Sequence, residues 1–130
     1  MSWQAYIDTS LVGSGNVDKA AIFNKEGTSV WAASAAFNVS PDEIKAVVAH
    51  YADTTEPKKI FGSGFKVAGE KYVTLRADER SLYGKKGKEG ICICLTKQAI
   101  LIAHYGETAQ PGATAKTVEQ LGDYLIGVGY

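Results

Sequence analysis

The residues that could do chemistry in this sequence are two cysteines, two histidines and three glycine-rich segments. A glycine-rich loop cradles phosphate when Lys-Ser or Lys-Thr follows it and a helix begins there. In the third segment Lys85 is followed by neither Ser nor Thr, and no helix is predicted after Gly90. Tight turns therefore account for the three segments, which are GSG at 13–15, GSG at 62–64 and GKKGKEG at 84–90.

The thiols and imidazoles form no metal-binding or nucleophilic pattern. Cys92 and Cys94 alternate in a predicted strand, GICICLT, on one face and about 6–7 Å apart, a poor geometry for a disulfide. We interpret them as buried, reduced thiols. A metal site would need further ligands, and His50 and His104 lack the spacing of a metal-binding helix. No nucleophile elbow is present, which favours binding over catalysis; a triad assembled only in three dimensions stays open.

Aromatic residues at the two ends of the chain suggest a binding surface. Trp3 and Tyr6 begin the sequence, and Tyr124 and Tyr130 end it. One interpretation is that these rings fill the seam between terminal helices and a sheet. The other is an exposed groove, because rings one helical turn apart, about 4.5 Å along the axis, form a ladder that suits a polyproline II helix.

Periodicity predicts the elements that must position these rings. Residues 3–12 read as a helix with Ser2 as N-cap and one apolar face that includes Trp3, Tyr6, Ile7 and Leu11. Ser40-Pro41-Asp42-Glu43 is a capping box that opens a second helix, on which His50 lies off the apolar stripe and is predicted to be solvated. Strands are predicted at 17–24 and 29–34.

From residue 60 to 105 the pattern changes to short runs between tight turns, which predicts an antiparallel meander of about five strands beginning with IFGSGFKVA. Pro111-Gly112 opens a last helix whose stripe includes Gly122, where another backbone is expected to come close. The fold class is therefore α+β, with a largely antiparallel sheet and helices packed on its faces.

Composition and charge set the class of partner. The 130 residues are 45% hydrophobic and 22% charged, as expected for one globular domain over 1–130. No apolar run approaches the ~20 residues needed to cross a bilayer, and the first residues do not resemble a signal peptide. We therefore expect a soluble intracellular protein. Net charge is zero, but residues 58–97 hold ten Lys or Arg and four Asp or Glu. This balance argues against nucleic-acid binding and suits an acidic protein or an anionic lipid headgroup.

Four motifs carry a resemblance to a known family. SWQAYID, VWAAS, YGKKGKEGI and LGDYLIGVGY, in this order along the whole chain, resemble profilin, in the compact form of fungi, plants and amoebae. The resemblance implies a central antiparallel sheet of about 5–7 strands, with the N- and C-terminal helices on one face and a smaller helix on the other. It also implies a cytoplasmic, cytoskeletal and monomeric protein that needs no cofactor.

The resemblance further implies three ligands, each with its own residues. Monomeric actin is bound one to one, proline-rich segments of formins and related assembly factors occupy a second surface, and phosphatidylinositol 4,5-bisphosphate binds a basic patch. Tyr124 stands where many animal relatives have histidine. The proline site would comprise Trp3, Tyr6, Trp31, Tyr124, Leu125 and Tyr130; the actin site Arg76, Lys85, Lys86, Gly112, Ala115, Lys116 and Gln120; and the lipid site Arg76, Arg80, Lys85, Lys86 and Lys88.

Two rival functions stay open beside a non-enzymatic regulator of actin assembly. The first is an enzyme with a scattered site, which would show a perturbed cluster of titratable groups in a pocket. The second is a lipid-binding module of similar fold without actin affinity. Overlap of the lipid and actin residues leads to the further hypothesis that these two ligands compete.

Overall fold

The computed structural model describes residues 2–55 and 58–130, and its strands form one antiparallel sheet. The strands are β1 (Lys19–Asn24), β2 (Val30–Ala33), β3 (Phe65–Val67), β4 (Glu70–Ala77), β5 (Ser81–Lys86), β6 (Glu89–Leu95) and β7 (Ala99–Tyr105). The sheet has seven strands in the order β2-β1-β7-β6-β5-β4-β3. Strands β3 to β7 are the predicted meander, and β1 joins it by pairing with β7.

The chain begins with a helix that changes its pitch. Helix α1 (Trp3–Ala5) continues as a π-helix over Tyr6–Leu11 and a 3-10 turn over Val12–Ser14, and we call residues 3–14 the N-terminal helix. Ser2 Oγ accepts the hydrogen bond of the Ala5 N–H at 3.1 Å, as its predicted N-cap role requires. The predicted face is confirmed, because Ile7 and Leu11 are fully buried.

Helix α2 (Pro41–Ala52) opens with the predicted capping box. Ser40 Oγ accepts from the Glu43 N–H at 3.2 Å, and Glu43 Oε1 accepts from the Ser40 N–H at 2.8 Å. The prediction for His50 is wrong, since its side chain is only 3% exposed. The segment after the helix returns to His50, since Lys58 Nζ donates to the His50 carbonyl at 3.0 Å, and the His50 ring packs beside the Tyr51 ring with the centroids 4.5 Å apart.

The first part of the predicted strand IFGSGFKVA is instead a helical turn, α3 (Ile60–Ser63), and the strand begins only at Phe65. Gly64 separates the two with a φ of +67°. A Cβ on Gly64 would lie 2.6 Å from the Tyr72 carbonyl oxygen, so only glycine lets the two segments come this close. Thr74 Oγ1 then donates to the Ile60 carbonyl at 2.7 Å and holds the turn against β4.

Helices cover the sheet on both faces, which confirms the α+β class. The N-terminal helix and α4 (Pro111–Gly127) share one apolar core, and α2 packs over the other. Cys92 and Cys94 are buried and free, as predicted. Within residues 2–55 and 58–130, no helix combines the length and the apolar character needed to cross a membrane.

Candidate functional site

Five aromatic rings meet above the seam between the N-terminal helix and the end of α4, and we call them the ring cluster. Trp3 lies at its centre, with its ring centroid 4.7 Å from Trp31, 5.5 Å from Tyr6 and 5.2 Å from Tyr130. Tyr124 joins through Tyr6, at 6.2 Å. The structure therefore brings together every ring that the family resemblance assigned to the proline site.

Both interpretations of these rings hold in part. Leu125, also assigned to this site, is 1% exposed and belongs to the core beneath the cluster. Trp3, Tyr6 and Trp31 are half-buried and pack against that core, so they do fill the seam. Tyr124 and Tyr130 are 54% and 42% exposed, and the cluster thus also presents an aromatic face to solvent.

Main-chain hydrogen bonds hold the end of the chain in this cluster. The main-chain oxygen of Tyr130 accepts from the Gln98 N–H at 2.5 Å and from Thr96 Oγ1 at 2.6 Å. Gln98 Nε2 also donates to the Gly129 carbonyl at 2.8 Å. At the opposite side, Gln4 Nε2 donates to the Ala33 carbonyl at 3.2 Å and joins the N-terminal helix to β2. The rings are thus positioned by backbone rather than by each other alone.

Hydroxyl groups give the cluster polar edges. Burial, reinforced by the neighbouring Tyr124 hydroxyl, raises the pKa of Tyr6. The Tyr6 phenol is therefore protonated at neutral pH, and tyrosine hydroxyls can donate a hydrogen bond. Such donors suit the carbonyl oxygens of an extended proline-rich chain, which have no N–H partners of their own within that chain.

The residues assigned to actin lie on two structural elements, the β4–β5 pair and helix α4. Arg76 and Lys85 are exposed on β4 and β5, while Gly112, Lys116 and Gln120 are exposed and Ala115 is half-buried on α4. Glu119 joins the two elements, because its Oε2 accepts from Tyr83 Oη at 2.5 Å and from Ser81 Oγ at 2.6 Å. The Arg76 guanidinium in turn lies 5.6 Å from the centre of the Tyr83 ring.

Lys86 is separated from Lys85 by the pleat of the strand. Lys85 lies opposite Val73 in the β4–β5 pair, while Lys86 contacts the Glu70 carboxylate and lines a cavity with Tyr72 on the α2 side. Successive side chains of a strand point to opposite faces. The structure therefore does not bring the two lysines together on one surface.

Three of the five cations assigned to a lipid headgroup are engaged by carboxylates. Arg80 Nε lies 2.8 Å from Glu119 Oε1, and its Nη1 lies 2.8 Å from Asp123 Oδ1. Arg76 Nε lies 2.8 Å from Asp78 Oδ2, and Lys86 is paired as above. Lys85 and Lys88 are exposed and make no ion pair with any described residue.

Sequence reasoning missed two apolar side chains beside these cations. Val73 and Leu75 on β4 are 65% and 57% exposed, and Val73 lies opposite Lys85. The alternation in KYVTLRA could have indicated these two residues. Tyr72 and Thr74 are buried on the inner face, so the residues that alternate with them face outward. Val73 and Leu75 therefore add exposed apolar area beside the cations of β4 and β5.

No arrangement typical of a metal centre appears beside these surfaces. Among residues 2–55 and 58–130, no three His, Cys, Asp or Glu side chains are grouped so as to hold a metal ion. Burial raises the pKa of Cys92 and of Cys94 to about 12, so neither thiol is a ready nucleophile.

An antiparallel sheet that carries its terminal helices side by side, with rings exposed over their seam, defines a class of small binding domains. The profilin family model matches residues 1–130. Profilin of Schizosaccharomyces pombe is 56% identical over 130 residues and profilin-2 of Acanthamoeba castellanii 51%, each with full coverage of both chains. A crystal structure of the S. pombe protein superposes with a TM-score of 0.94, covering 99% of this chain and 100% of that one. The chain belongs to the profilin family.

Proposed function

We propose that this chain binds monomeric actin one to one, binds proline-rich segments on a separate surface, and thereby regulates filament assembly. The observation that carries the proposal is the ring cluster, with Tyr124 and Tyr130 open to solvent. Two more distant structures of the same fold support it. Mouse profilin IIa, 20% identical with a TM-score of 0.79, is in complex with a double repeat from the FH1 domain of mDia1, and LokiProfilin2, 24% identical with a TM-score of 0.81, is in complex with rabbit actin.

The proposed proline site consists of Trp3, Tyr6, Trp31, Tyr124 and Tyr130, with Leu125 as the apolar floor beneath them. A polyproline II helix is extended before it binds, so little entropy is lost when it lies across the rings. The phenol hydroxyls donate to its free carbonyl oxygens. Formins and related assembly factors are the expected carriers of such segments.

The proposed actin surface combines charge with apolar contact. Lys85 attracts an acidic face, Arg76 offers the guanidinium N–H groups that Asp78 does not bind, and Val73 and Leu75 supply the apolar area. Lys86 is left out of this surface, because it lies on the other face of the sheet and is paired with Glu70. The α4 part of the surface is Gly112, Ala115, Lys116 and Gln120.

For phosphatidylinositol 4,5-bisphosphate we propose a smaller patch, centred on Lys85 and Lys88. Both ammonium groups are exposed and free of ion pairs within the described part of the chain, whereas Arg76, Arg80 and Lys86 already face carboxylates. Each basic residue near an anionic membrane contributes about 1 kcal/mol. Two free lysines therefore support weak, reversible binding.

The mechanism that follows is steric occupancy. Bound to one face of an actin monomer, the protein keeps that face from other contacts and so sequesters monomers. With a proline-rich segment on the ring cluster, it delivers the monomer to a growing barbed end. No bond is made or broken, so the proposal includes no catalytic residue or cofactor. We propose that residues 1–130 act as one monomeric profilin domain in the cytoplasm and cytoskeleton.

Tryptophan fluorescence during titration with polyproline tests the proposal directly. Trp3 and Trp31 are the two tryptophans of the chain, and both lie in the ring cluster, so a saturable change in emission reports on this site. We expect Tyr124→Ala, whose side chain is more than half exposed, to weaken peptide binding and spare actin binding. Lys85→Glu should do the reverse.

Trp3→Ala should also reduce peptide binding, but its half-buried ring contributes to the core, so its thermal unfolding must be followed in parallel. If wild-type emission does not respond to polyproline, or if Tyr124→Ala and Lys85→Glu lose both ligands equally, the proposed assignment of surfaces is wrong.

A further inference from the structure

A groove adjoins the ring cluster and runs between the N-terminal helix and α4, and we call it the side groove. It is a cavity of about 420 Å³. Tyr6 and Tyr124 belong to both the ring cluster and the side groove, so a chain that lies across the rings can pass directly into it. The other lining residues are Ser10, Ser14, Thr117, Gln120 and Leu121.

The chemistry of the walls changes along the side groove. Beyond the two tyrosines, the lining consists of hydroxyl groups and one carboxamide over Leu121, which is 6% exposed. Within residues 2–55 and 58–130, no charged side chain lines it. The surface that suits proline rings thus gives way to one that suits a neutral polar chain.

Two of the polar side chains hold the groove in shape. Ser14 Oγ donates to the Leu11 carbonyl at 2.6 Å and accepts from the Asn16 N–H at 3.1 Å. Thr117 Oγ1 donates to the Ala113 carbonyl at 3.0 Å and accepts from Asn16 Nδ2 at 3.0 Å, which ties the loop after the N-terminal helix to α4. These hydroxyls are therefore engaged by the protein itself.

Ser10 and Gln120 are the polar side chains left for a ligand. Neither makes a side-chain hydrogen bond to any residue in 2–55 or 58–130. Ser10 is half-buried beside the tyrosines, and Gln120 is exposed one helical turn before Tyr124. A serine hydroxyl can donate and accept, and a carboxamide can do both at once.

Resting on the proposed proline-binding function, we propose that the side groove binds the non-proline residues that flank a proline run in the same peptide. Proline has no N–H, so a continued proline run would leave the acceptors of Ser10 and Gln120 unused. A flanking residue such as Ser, Asn or Gly supplies an N–H to these oxygens, and its carbonyl accepts from the Gln120 amide.

The dimensions determine the length of the flank. Thr117 and Tyr124 are seven positions apart on α4, which is about 10 Å along a helix. An extended chain rises about 3.1–3.4 Å per residue, so the groove holds about three residues. Because Gln120 also belongs to the proposed actin surface, the flank leads the bound peptide towards bound actin.

The test compares three synthetic peptides by isothermal titration calorimetry. One is a run of ten prolines, one is that run extended by three further prolines, and one is the run extended by Asn-Gly-Ser, made with the extension at either end. With the wild-type protein we expect the polar extension, at one of the two ends, to bind about three- to tenfold tighter than the proline extension, as for one or two added hydrogen bonds.

Matched variants locate this gain. Ser10→Ala and Gln120→Ala should each reduce it while the affinity for ten prolines stays unchanged, and Lys116→Ala, one turn away and outside the groove, should leave it intact. Equal affinity for the two extended peptides at both ends, or a gain that survives in both alanine variants, overturns the side-groove proposal alone. Failure of every peptide to bind overturns the proline-binding function and the side groove together.

Discussion

Glu43 has two structural roles, and the local sequence predicts only one of them. The capping box predicts its bond to the Ser40 N–H, but the same carboxylate also accepts from the Ala68 N–H at 3.0 Å and the Gly69 N–H at 2.8 Å. Ala68 is a non-glycine residue with a φ of +52°, so this carboxylate stabilises a turn that is otherwise unfavourable. The second role depends on a contact 25 residues away, which local sequence cannot reveal.

We predict that Glu43→Ala lowers the free energy of unfolding by about 2 kcal/mol, because it leaves three N–H groups without their charged acceptor. Asp42→Ala is the matched control: Asp42 is exposed in the same first turn, and its loss should cost only roughly 0.5 kcal/mol. Urea denaturation of the two variants measures the difference. Equal losses would show that Glu43 acts on α2 alone.

His50 leads to a prediction about pH. The pKa of His50 is lowered to about 4, first by burial and then by the nearby charge of Lys58, while Asp78 and Asp53 oppose the shift. An unfolded histidine has a pKa near 6.5, so between pH 6.5 and 4 the unfolded chain binds more protons than the folded one. The stabilisation that comes from a neutral, buried His50 is therefore fully present above pH 6.5. As the pH falls from 6.5 towards 4 it is lost, and the free energy of unfolding decreases by at most about 3 kcal/mol.

Chemical denaturation at pH 7, 5.5 and 4.5 measures this dependence. His50→Leu removes the titrating group, so its free energy of unfolding should fall less over this range than that of the wild-type protein. Every other ionisable group is the same in both proteins, so its contribution cancels in the comparison. Parallel pH profiles would exclude His50 as the cause.

At the scale of elements, α4 is the clearest case of packing that sequence indicated only in part. The stripe containing Gly122 was predicted, with a backbone expected close to the glycine. The near neighbours are side chains instead: a Cβ on Gly122 would lie 2.8 Å from Cys94 Sγ and 3.1 Å from Arg80 Nη2. The glycine thus leaves room for the Arg80 guanidinium, which donates to the Glu119 carbonyl at 2.9 Å.

Gly122→Ala should therefore destabilise the protein by roughly 1–2 kcal/mol, since displacing Cys94 and Arg80 outweighs the gain in helix propensity. Gly112→Ala is the control within the same helix. A Cβ there meets nothing within 4 Å, so the variant should be neutral or more stable by at most about 1 kcal/mol. Thermal unfolding of both proteins by circular dichroism decides between these outcomes.

Elements with strong local signals were predictable, and those that depend on distant contacts were not. The capping box placed α2, and alternation between turns placed β4 to β7, because these signals lie within a few residues. Helix α3 was read as strand because Ile60 and Phe61 are apolar, while its helical turn is stabilised by Thr74, 14 residues later. The site residues were predictable to different degrees in the same way. Periodicity indicated Trp3 and Tyr6, and the family resemblance added Trp31. The ion pairs of Arg76, Arg80 and Lys86 depend on the three-dimensional structure and could not be predicted from the sequence.

At the scale of the whole molecule, part of the basic excess of residues 58–97 is offset by carboxylates that lie far along the chain. Arg80 is paired with Glu119 and Asp123, which lie outside that segment, and Arg76 and Lys86 have partners within it. Of the five cations assigned to the lipid headgroup, Lys85 and Lys88 are left without an ion pair to any described residue. Charge counted along the sequence therefore overstates the field that a partner meets.

This distribution predicts competition between lipid and actin, because Lys85 belongs to both proposed surfaces. Vesicles containing phosphatidylinositol 4,5-bisphosphate should displace actin in co-sedimentation, and more weakly at high salt, since exposed charges are screened. Lys85→Glu should weaken both interactions, whereas Lys25→Glu, on the exposed turn between β1 and β2, should weaken neither. Actin and vesicles that bind together without loss of either would show that the two ligands use separate surfaces. In that case Lys88, rather than Lys85, would be the residue at which the lipid patch is centred.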